Sequence, residues 1–157
     1  MKKILFISIL FIFFNCEDEL NNKIPGFEAT INGNFDWVAD SYVATLQNNQ
    51  LSITGTSPFG TIAMQIDSLE LGSYNLYSWK DDFAIFQDTL QYSTQNDGVN
   101  SIAHLSDGLI DINEIDNVNN TVSGHFHFDA YNGTGEYTIN LSEGVFYKIP
   151  ITSDTQD

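Results

Sequence analysis

The sequence contains few residues that carry positive charge. Its 157 residues include five lysines and no arginine, and only three of those lysines follow residue 16. All twenty-one acidic residues follow residue 16 as well, so three lysines against twenty-one acids give that part a net charge of −18. Binding to nucleic acid and adhesion to anionic lipid both need a basic surface, and both functions are therefore excluded. The acidity instead favours solubility and repulsion between molecules.

Cysteine is almost absent too. The single Cys16 excludes an intramolecular disulfide and leaves the chain after it without a thiol for catalysis. The three acids that follow, Glu17 to Glu19, disfavour the thiolate, which is the form in which a cysteine reacts. Cys16 therefore needs an explanation other than redox or nucleophilic chemistry.

The sequence also lacks an apolar run long enough to span a membrane. Residues 4–14 form an eleven-residue run that is apolar except for Ser8, whereas a spanning helix needs about 20 residues. Two lysines, Lys2 and Lys3, precede the run and acids follow it. These flanks disfavour the alternative of a buried core helix and predict a secretory signal peptide at residues 1–15.

The end of this run resembles a bacterial lipoprotein signal, in which the cysteine is the first mature residue and carries the lipid. Cys16 takes that place, although Asn15 stands where such signals usually have Gly, Ala or Ser. Lipoproteins of the Bacteroidota resemble this segment, and in them acids after the cysteine accompany export to the cell surface. The resemblance implies that Cys16 is the attachment site for palmitate and related acyl chains. It also implies a protein anchored in the outer membrane and facing the exterior, since several acyl chains make a firm anchor.

The rest of the chain predicts one domain with short polar ends. About 140 residues after the signal are enough to bury a core. The predicted divisions are an acidic tether at residues 16–23, a domain at residues 24–151 and a polar tail at residues 152–157.

Alternation of apolar and polar residues dominates this domain and predicts β-strands. The alternating apolar residues are Leu51 and Ile53, then Ile62, Met64 and Ile66, then Tyr74 and Leu76, and finally Ile110 and Ile112. Turn signals recur between the runs at Asn32-Gly33, Pro58 to Gly60, Asp97-Gly98, Asp107-Gly108 and Asn132-Gly133. Many short strands spaced in this way predict an all-β fold. We expect a single antiparallel β-sandwich, with a closed, lipocalin-like β-barrel as the alternative.

The segment around Asn132-Gly133 predicts a β-hairpin. Phe126 and Phe128 alternate with His125 and His127 before this turn, and residues 136–142 alternate in the same way after it. A two-residue turn fixes the register of the two strands. The predicted pairs are Tyr131 with Thr134, Phe128 with Tyr137, His127 with Thr138, and Asp129 with Glu136.

The order of motifs along the domain resembles a family of small Bacteroidota lipoproteins. The motifs are A-x-I-N-G-x-x-x-W (Ala29 to Trp37), G-x-Y (Gly72 to Tyr74), S-G-x-F-x-F (Ser123 to Phe128) and E-G-V-F (Glu143 to Phe146). That family is itself a domain of unknown function, and the resemblance covers most of residues 24–151. It implies a β fold and a surface location, and it brings no catalytic residue with it.

His125 and His127 lie on one face of the predicted hairpin and are the candidate metal ligands. Two histidines in this spacing can chelate a metal, and Asp129 and Glu136 would complete the set. A bound cation would also relieve the repulsion between those two carboxylates. The favoured alternative is a solvated polar face, because the alternation explains every position without a ligand. We therefore predict no cofactor.

Aromatic residues give a second candidate site. Tyr77 and Trp79 share one parity of a predicted strand, and exposed aromatics with polar neighbours bind sugars or proteins. The favoured alternative is that Trp37 and Trp79 close the ends of the core. The tripeptides Asp67-Ser68-Leu69 and Asp88-Thr89-Leu90 resemble the O-glycosylation signal of exported Bacteroidota proteins, which makes Ser68 and Thr89 candidate modification sites.

These features support three hypotheses about function, and enzyme activity is not expected because the domain is small and has no G-x-S-x-G motif. The first is a non-catalytic binding or adhesion module for a glycan or an envelope protein. The second is a structural accessory subunit of an envelope complex. The third is a metal-binding or hydrolytic protein that uses His125 and His127. An exposed aromatic patch would favour the first, a flat apolar patch the second, and a concave cluster of histidines and acids the third.

Overall fold

The computed structural model of the protein describes residue 24, residues 26–99 and residues 104–153. The predicted signal peptide, Cys16 and the acidic tether lie outside these ranges, as do residues 154–157 of the predicted tail. Within the described ranges the fold is all-β and contains no helix, which confirms the predicted class. The same ranges hold no helix long and apolar enough to cross a membrane.

The described part of the chain contains eleven strands joined by loops and turns. They are β1 (Gly26–Ile31), β2 (Phe35–Val38), β3 (Ser41–Gln47), β4 (Gln50–Ser57), β5 (Gly60–Ile66), β6 (Gly72–Asn75), β7 (Phe83–Gln87), β8 (Gln91–Ser93), β9 (Asp107–Asp116), β10 (Thr121–Asn132) and β11 (Thr138–Ser153).

The strands form one large sheet in the order β2-β1-β11-β3-β4-β5-β7-β8-β10-β9-β6. Neighbouring strands are antiparallel except β11 and β3. These two pair in parallel, from Ile151 opposite Ala44 to Ser153 opposite Leu46. β10 also pairs with β11, so the sheet folds back on itself and encloses one core. The predicted sandwich-like, mostly antiparallel architecture is confirmed.

The core consists of the residues that alternation selects. Leu51, Ile53, Ile62, Met64, Ile66, Leu76, Ile110 and Ile112 are all buried. Trp37 is fully buried, packs edge-to-face against Phe27 at 5.4 Å between ring centroids, and donates its indole N–H to the Gly60 carbonyl at 3.1 Å. Trp37 therefore closes part of the core, as predicted. Its indole N–H can be buried there because it has a hydrogen-bond acceptor.

The β10–β11 hairpin forms, but the predicted register is wrong. Tyr131 pairs with Thr138 and not with Thr134. The loop is longer than two residues because the buried Asn132 organises it: its Oδ1 accepts the N–H groups of Glu136 and Tyr137, each at 3.1 Å. The shift is an even number of residues, so Ile139 and Leu141 keep their predicted buried face. Tyr137, the predicted partner of Phe128 in the core, lies in the loop instead and is 58% exposed.

Two β-bulges change the inward face along β11. Ile139 and Leu141 are buried, then Phe146, then Ile149 and Ile151, so the buried positions change parity twice. The register against β10 shifts at the same two places. Glu143 and Lys148 supply the extra residues and have positive φ values of 52° and 50°. The bulges allow a sixteen-residue strand to keep apolar residues in the core along most of its length.

Predicted turns at Asn32-Gly33 and Pro58 to Gly60 are confirmed, whereas Asp107-Gly108 is not a turn. These two residues begin β9, where Asp107 pairs with Asp129 and Gly108 pairs with Phe128. A Cβ atom on Gly108 would lie 2.7 Å from the His127 carbonyl oxygen. This glycine therefore permits a close approach between two strands instead of a reversal of the chain.

One end of the sheet is formed by loops that are far apart in sequence. β1 begins at Gly26, paired with Tyr147, and runs to Ile31, paired with Leu141. At the Ile31 end, a single groove is lined by residues beside the β1–β2, β4–β5, β7–β8 and β10–β11 loops. We call this end the distal end, because it is remote from the point at which the chain enters the domain at Gly26.

Candidate functional site

Tyr77 and Trp79 lie in the loop between β6 and β7, so the prediction that they share a strand is wrong. A turn closes this loop, with the Lys80 N–H donating to the Tyr77 carbonyl at 2.9 Å. The two rings nevertheless stack, 4.8 Å apart between centroids and 10° from parallel. Trp79 is 64% exposed, so the favoured interpretation that it closes the core is also wrong. We call these two residues the aromatic pair.

The loop that carries the aromatic pair is held on both sides. Leu76 before it is fully buried and donates its N–H to the Gly108 carbonyl at 2.8 Å. Ser78, which lies between Tyr77 and Trp79 in the sequence, donates its hydroxyl to Asp97 Oδ2 at 2.7 Å. Asp97 Oδ1 accepts the Ser106 N–H at 3.0 Å. The rings are therefore held on a braced loop, although Trp79 is exposed to solvent and Tyr77 is partly exposed.

Asp97 is the ionised centre of this brace. Burial alone would raise the pKa of the Asp97 carboxyl, but hydrogen bonds from Ser78 and from Ser106 outweigh burial and hold the pKa below its usual value. Hydrogen bonds donated to a carboxylate favour its charged form. The carboxylate therefore stays ionised at neutral pH and keeps the two loops joined.

The aromatic pair lies at the distal end. Directly after Asp97 and Gly98, the Val99 N–H donates to the Gly135 carbonyl of the β10–β11 loop at 3.2 Å. A Cβ atom on Gly135 would lie 2.7 Å from the Asp97 carbonyl oxygen, and Gly135 has a φ of +71°. The close contact between these two loops thus depends on glycine, and it places the brace at the end of the hairpin.

The groove at the distal end is a second candidate site, and sequence reasoning did not find it. Its volume is about 290 Å³. Its lining residues are Ile31, Asn32, Phe35, Phe59, Phe86, Asp88, Tyr92, Thr138 and Ile139. The one sequence signal was Phe59, an aromatic residue in a two-residue turn, where polar residues are usual. We call this site the distal groove.

The candidate metal ligands are not brought together in the predicted way. His125 and His127 are exposed on β10, where His125 pairs with Asp111 and Val145 on its two sides. Asp129 accepts the side-chain amide of Asn140 at 2.7 Å, while Glu136 lies in the β10–β11 loop. The register shift therefore separates Asp129 from Glu136. The described ranges hold no group of three or more His, Cys, Asp or Glu side chains that could bind a metal ion.

His125 and His127 do line a depression of about 370 Å³ together with Asp111 and Glu143. The side chains there have other partners. His125 Nδ1 lies 3.0 Å from Asn113 Nδ2, and Asp111 accepts the Ser73 hydroxyl at 2.7 Å. Glu143 lies 3.4 Å from the Thr30 hydroxyl. His125, Asp111 and Glu143 are therefore each engaged with a side chain of a neighbouring strand.

Comparison with known families identifies the domain. The Domain of unknown function (DUF6252) matches residues 23–150 of the chain. The chain belongs to the DUF6252 family. No curated protein and no solved structure matches it. The resemblance to a domain of unknown function is thereby confirmed, and the DUF6252 domain covers the aromatic pair, the distal groove and the depression lined by His125 and His127.

The two candidate glycosylation sites of the DUF6252 domain differ in accessibility. Thr89 is exposed in the loop between β7 and β8, with Asp88 and Leu90 exposed beside it. Ser68 is only partly exposed, and its hydroxyl lies 3.0 Å from the Tyr74 hydroxyl. The Thr89 hydroxyl also donates to Asp88 Oδ1, at 3.4 Å, so the two sites differ mainly in the exposure of the side chain, which is greater at Thr89.

Proposed function

We propose that this DUF6252 protein is a lipid-anchored lipoprotein of the cell envelope, displayed on the outer surface, whose domain is a non-catalytic binding module. Its ligand is a glycan or an envelope protein. The observation that carries the proposal is the aromatic pair, two stacked rings on a braced loop at the distal end.

Exposed aromatic rings bind ligands well when their position is fixed beforehand. Tyrosine and tryptophan supply large apolar faces with a polar edge, and they are enriched where proteins contact sugars or other proteins. Fixing such rings before binding reduces the entropy lost when the complex forms. The Ser78–Asp97 hydrogen bond at 2.7 Å and the buried Leu76 provide this restraint in the free protein.

The location of the aromatic pair suits a protein attached through its N-terminus. β1 has six residues, so Gly26 and Ile31 are about 17 Å apart at about 3.3 Å per residue. A lipid on Cys16 would lie on the Gly26 side, with residues 16–23 as a spacer. The aromatic pair would then face away from the membrane, where a ligand in the medium can reach it.

The two tryptophans allow a direct test of binding. Trp37 is fully buried and Trp79 is 64% exposed, so acrylamide quenching of the fluorescence of the full chain reports mainly on Trp79. We would titrate the detergent-solubilised protein with a panel of soluble polysaccharides and with purified envelope proteins. A ligand should protect Trp79 from quenching.

The variant Trp79→Ala should weaken binding of that ligand by about tenfold or more, as expected for an aromatic anchor. Leu71→Ala is the matched control, because Leu71 is equally exposed but lies directly before the start of β6, whereas the aromatic pair follows the end of that strand. Binding that survives Trp79→Ala unchanged, or no binding by any member of the panel, would contradict the proposal.

A further inference from the structure

The distal groove has aromatic walls that are held in place by close backbone packing. Phe35 and Phe59 meet edge-to-face at 5.2 Å between centroids, and Phe59 is 62% exposed. Phe86 is buried below them. A Cβ atom on Gly60 would lie 2.7 Å from the Phe86 ring, so the absence of a side chain there lets the turn that carries Phe59 pack directly over Phe86.

Three polar side chains of the groove have atoms left free to bind a ligand. Asn32 Oδ1 accepts the Asn140 N–H at 3.0 Å, which fixes the amide and leaves Nδ2 without a partner among the described residues. Asp88 Oδ1 accepts the Leu90 N–H at 2.8 Å, and Oδ2 has no partner in the same part of the chain. The Tyr92 hydroxyl likewise makes no hydrogen bond to a described residue. The groove thus offers a donor, an acceptor and a hydroxyl that can do both.

The phenol of Tyr92 remains protonated at physiological pH. Burial, the nearby Asp88 carboxylate and Tyr137 together raise the pKa of Tyr92. The hydroxyl therefore keeps its proton and can donate a hydrogen bond to an oxygen atom of a ligand.

These properties together select one class of ligand. A sugar ring has an apolar face that packs on aromatic rings and hydroxyl groups that donate and accept hydrogen bonds. A purely apolar ligand would cover Asp88 and Asn32 without satisfying them, which is unfavourable. An anionic ligand would meet Asp88 on a chain with twenty-one acids and five lysines. A volume of about 290 Å³ is at the small end for ligand sites and suits one ring.

We infer that the distal groove binds one ring of an uncharged glycan, with Phe35 and Phe59 against the ring and Asn32, Asp88 and Tyr92 bonded to its hydroxyls. This inference rests on the proposed function, since it gives the binding module a ligand class and a second contact at the same end as the aromatic pair.

The test uses the full chain in detergent and isothermal titration calorimetry. The neutral probes are the hexaoses of maltose, cellulose, laminarin, xylan and mannan types, and the acidic probe is a hexamer of galacturonate. At least one neutral probe should bind, and the acidic probe should bind at least about tenfold more weakly.

Tyr92→Phe should weaken binding about three- to tenfold, the effect of one lost hydrogen bond. Phe59→Ala should weaken it about tenfold or more.

Val118→Ala is the matched control, because Val118 is an exposed apolar residue in the β9–β10 turn, and it should leave the affinity unchanged. Tyr92→Phe retains the ring, so folding is preserved and near-ultraviolet circular dichroism can verify it.

Binding of no neutral probe, or affinity unchanged in both Tyr92→Phe and Phe59→Ala, would overturn the inference. If Trp79→Ala alone abolishes binding, the groove inference is wrong and the proposed function stands. If none of the three variants affects binding, both are wrong.

Discussion

At the scale of single residues, Asp97 determines how firmly the aromatic pair is held. Its two carboxylate oxygens join Ser78 in one loop to Ser106 in another. The Ser106 hydroxyl also donates to the Thr94 carbonyl, so the brace extends to the end of β8. Nothing in the sequence around Asp97-Gly98 distinguishes this aspartate from one in an ordinary turn, because Ser78 lies in another loop and Ser106 lies nine residues further along the chain.

Replacing Asp97 should destabilise the protein in a pH-dependent way. The folded-state pKa is lowered, so the carboxylate stabilises the fold above the unfolded-state pKa of about 3.9, and this contribution is lost as the pH falls through the folded value. Asp97→Asn should therefore lower Tm at pH 7, and the difference from wild type should shrink as the pH falls below about 4. Thermal unfolding from pH 3 to pH 7 measures this, with Asp81→Asn as an exposed control. An equal difference at both extremes would contradict the assignment.

The two candidate glycosylation sites should differ in occupancy. Thr89 is exposed in a hairpin loop, whereas the Ser68 hydroxyl lies 3.0 Å from that of Tyr74. Peptide mass spectrometry of protein purified from its native host should find a glycan on Thr89 and none on Ser68. A glycan on Ser68 with an unmodified Thr89, or none at either site, would count against the prediction.

Trp37 and Trp79 show how far residue-level prediction extends. Both were expected in the core, and only Trp37 lies there. Trp37 follows β1 closely in sequence and pairs with Ala29 across a short turn, so local pattern suffices to place it. Trp79 lies in a loop, where alternation gives no information about burial.

At the scale of elements, the faces of the β10–β11 hairpin could be predicted and its register could not. Alternation assigned Phe126, Phe128, Ile139 and Leu141 to the core, and all four are buried. It assigned Tyr137 to the core as well, and that residue is 58% exposed in the loop. The register depended on a loop organised by the Asn132 side chain and on a bulge at Glu143. A bulge inserts a residue that the hydrophobic pattern does not mark until the parity of burial changes.

Gly124 should be essential for the packing of β10 against its neighbours. A Cβ atom there would collide with the backbone oxygen of Asp111 and with the Phe146 ring. Gly124→Ala should therefore destabilise the domain by about 1–3 kcal/mol, the usual cost of overpacking. Denaturant unfolding measures the free energy of unfolding.

Gly133→Ala is the control for this substitution. Gly133 lies in the loop after β10, and a Cβ atom there would meet no atom within 4 Å. The free energy of unfolding should change by less than about 0.5 kcal/mol. If both alanine variants were equally stable, the close approach at Gly124 would not be a constraint on the fold.

At the scale of the whole molecule, the fold class and the two residues of the aromatic pair followed from the sequence, whereas the brace of that pair and the distal groove did not. Regular alternation and turn signals are local properties, and they identified an all-β domain. The distal groove is built by residues that lie between Ile31 and Ile139 in the sequence, and the brace of the aromatic pair joins the β6–β7 loop to the connection between β8 and β9. Such sites depend on strand order, and a sheet in which β11 pairs with β1, β3 and β10 is not specified by any local pattern.

The proposed lipid anchor can be tested at Cys16, the only cysteine in the sequence. Metabolic labelling with palmitate should mark the wild-type protein, and Cys16→Ala should abolish the label. Several acyl chains give firm membrane attachment, so the variant should also leave the membrane fraction. Label retained in Cys16→Ala would exclude Cys16 as the attachment site.

We propose that the aromatic pair faces the medium on the outside of the cell. Lys80 is exposed directly after Trp79, and a lipidated Cys16 leaves no other thiol in the chain. We would treat intact cells that carry Lys80→Cys with a membrane-impermeant maleimide and compare them with lysed cells. Labelling of the protein should be equal in intact and lysed cells. Labelling that occurs only after lysis would contradict it.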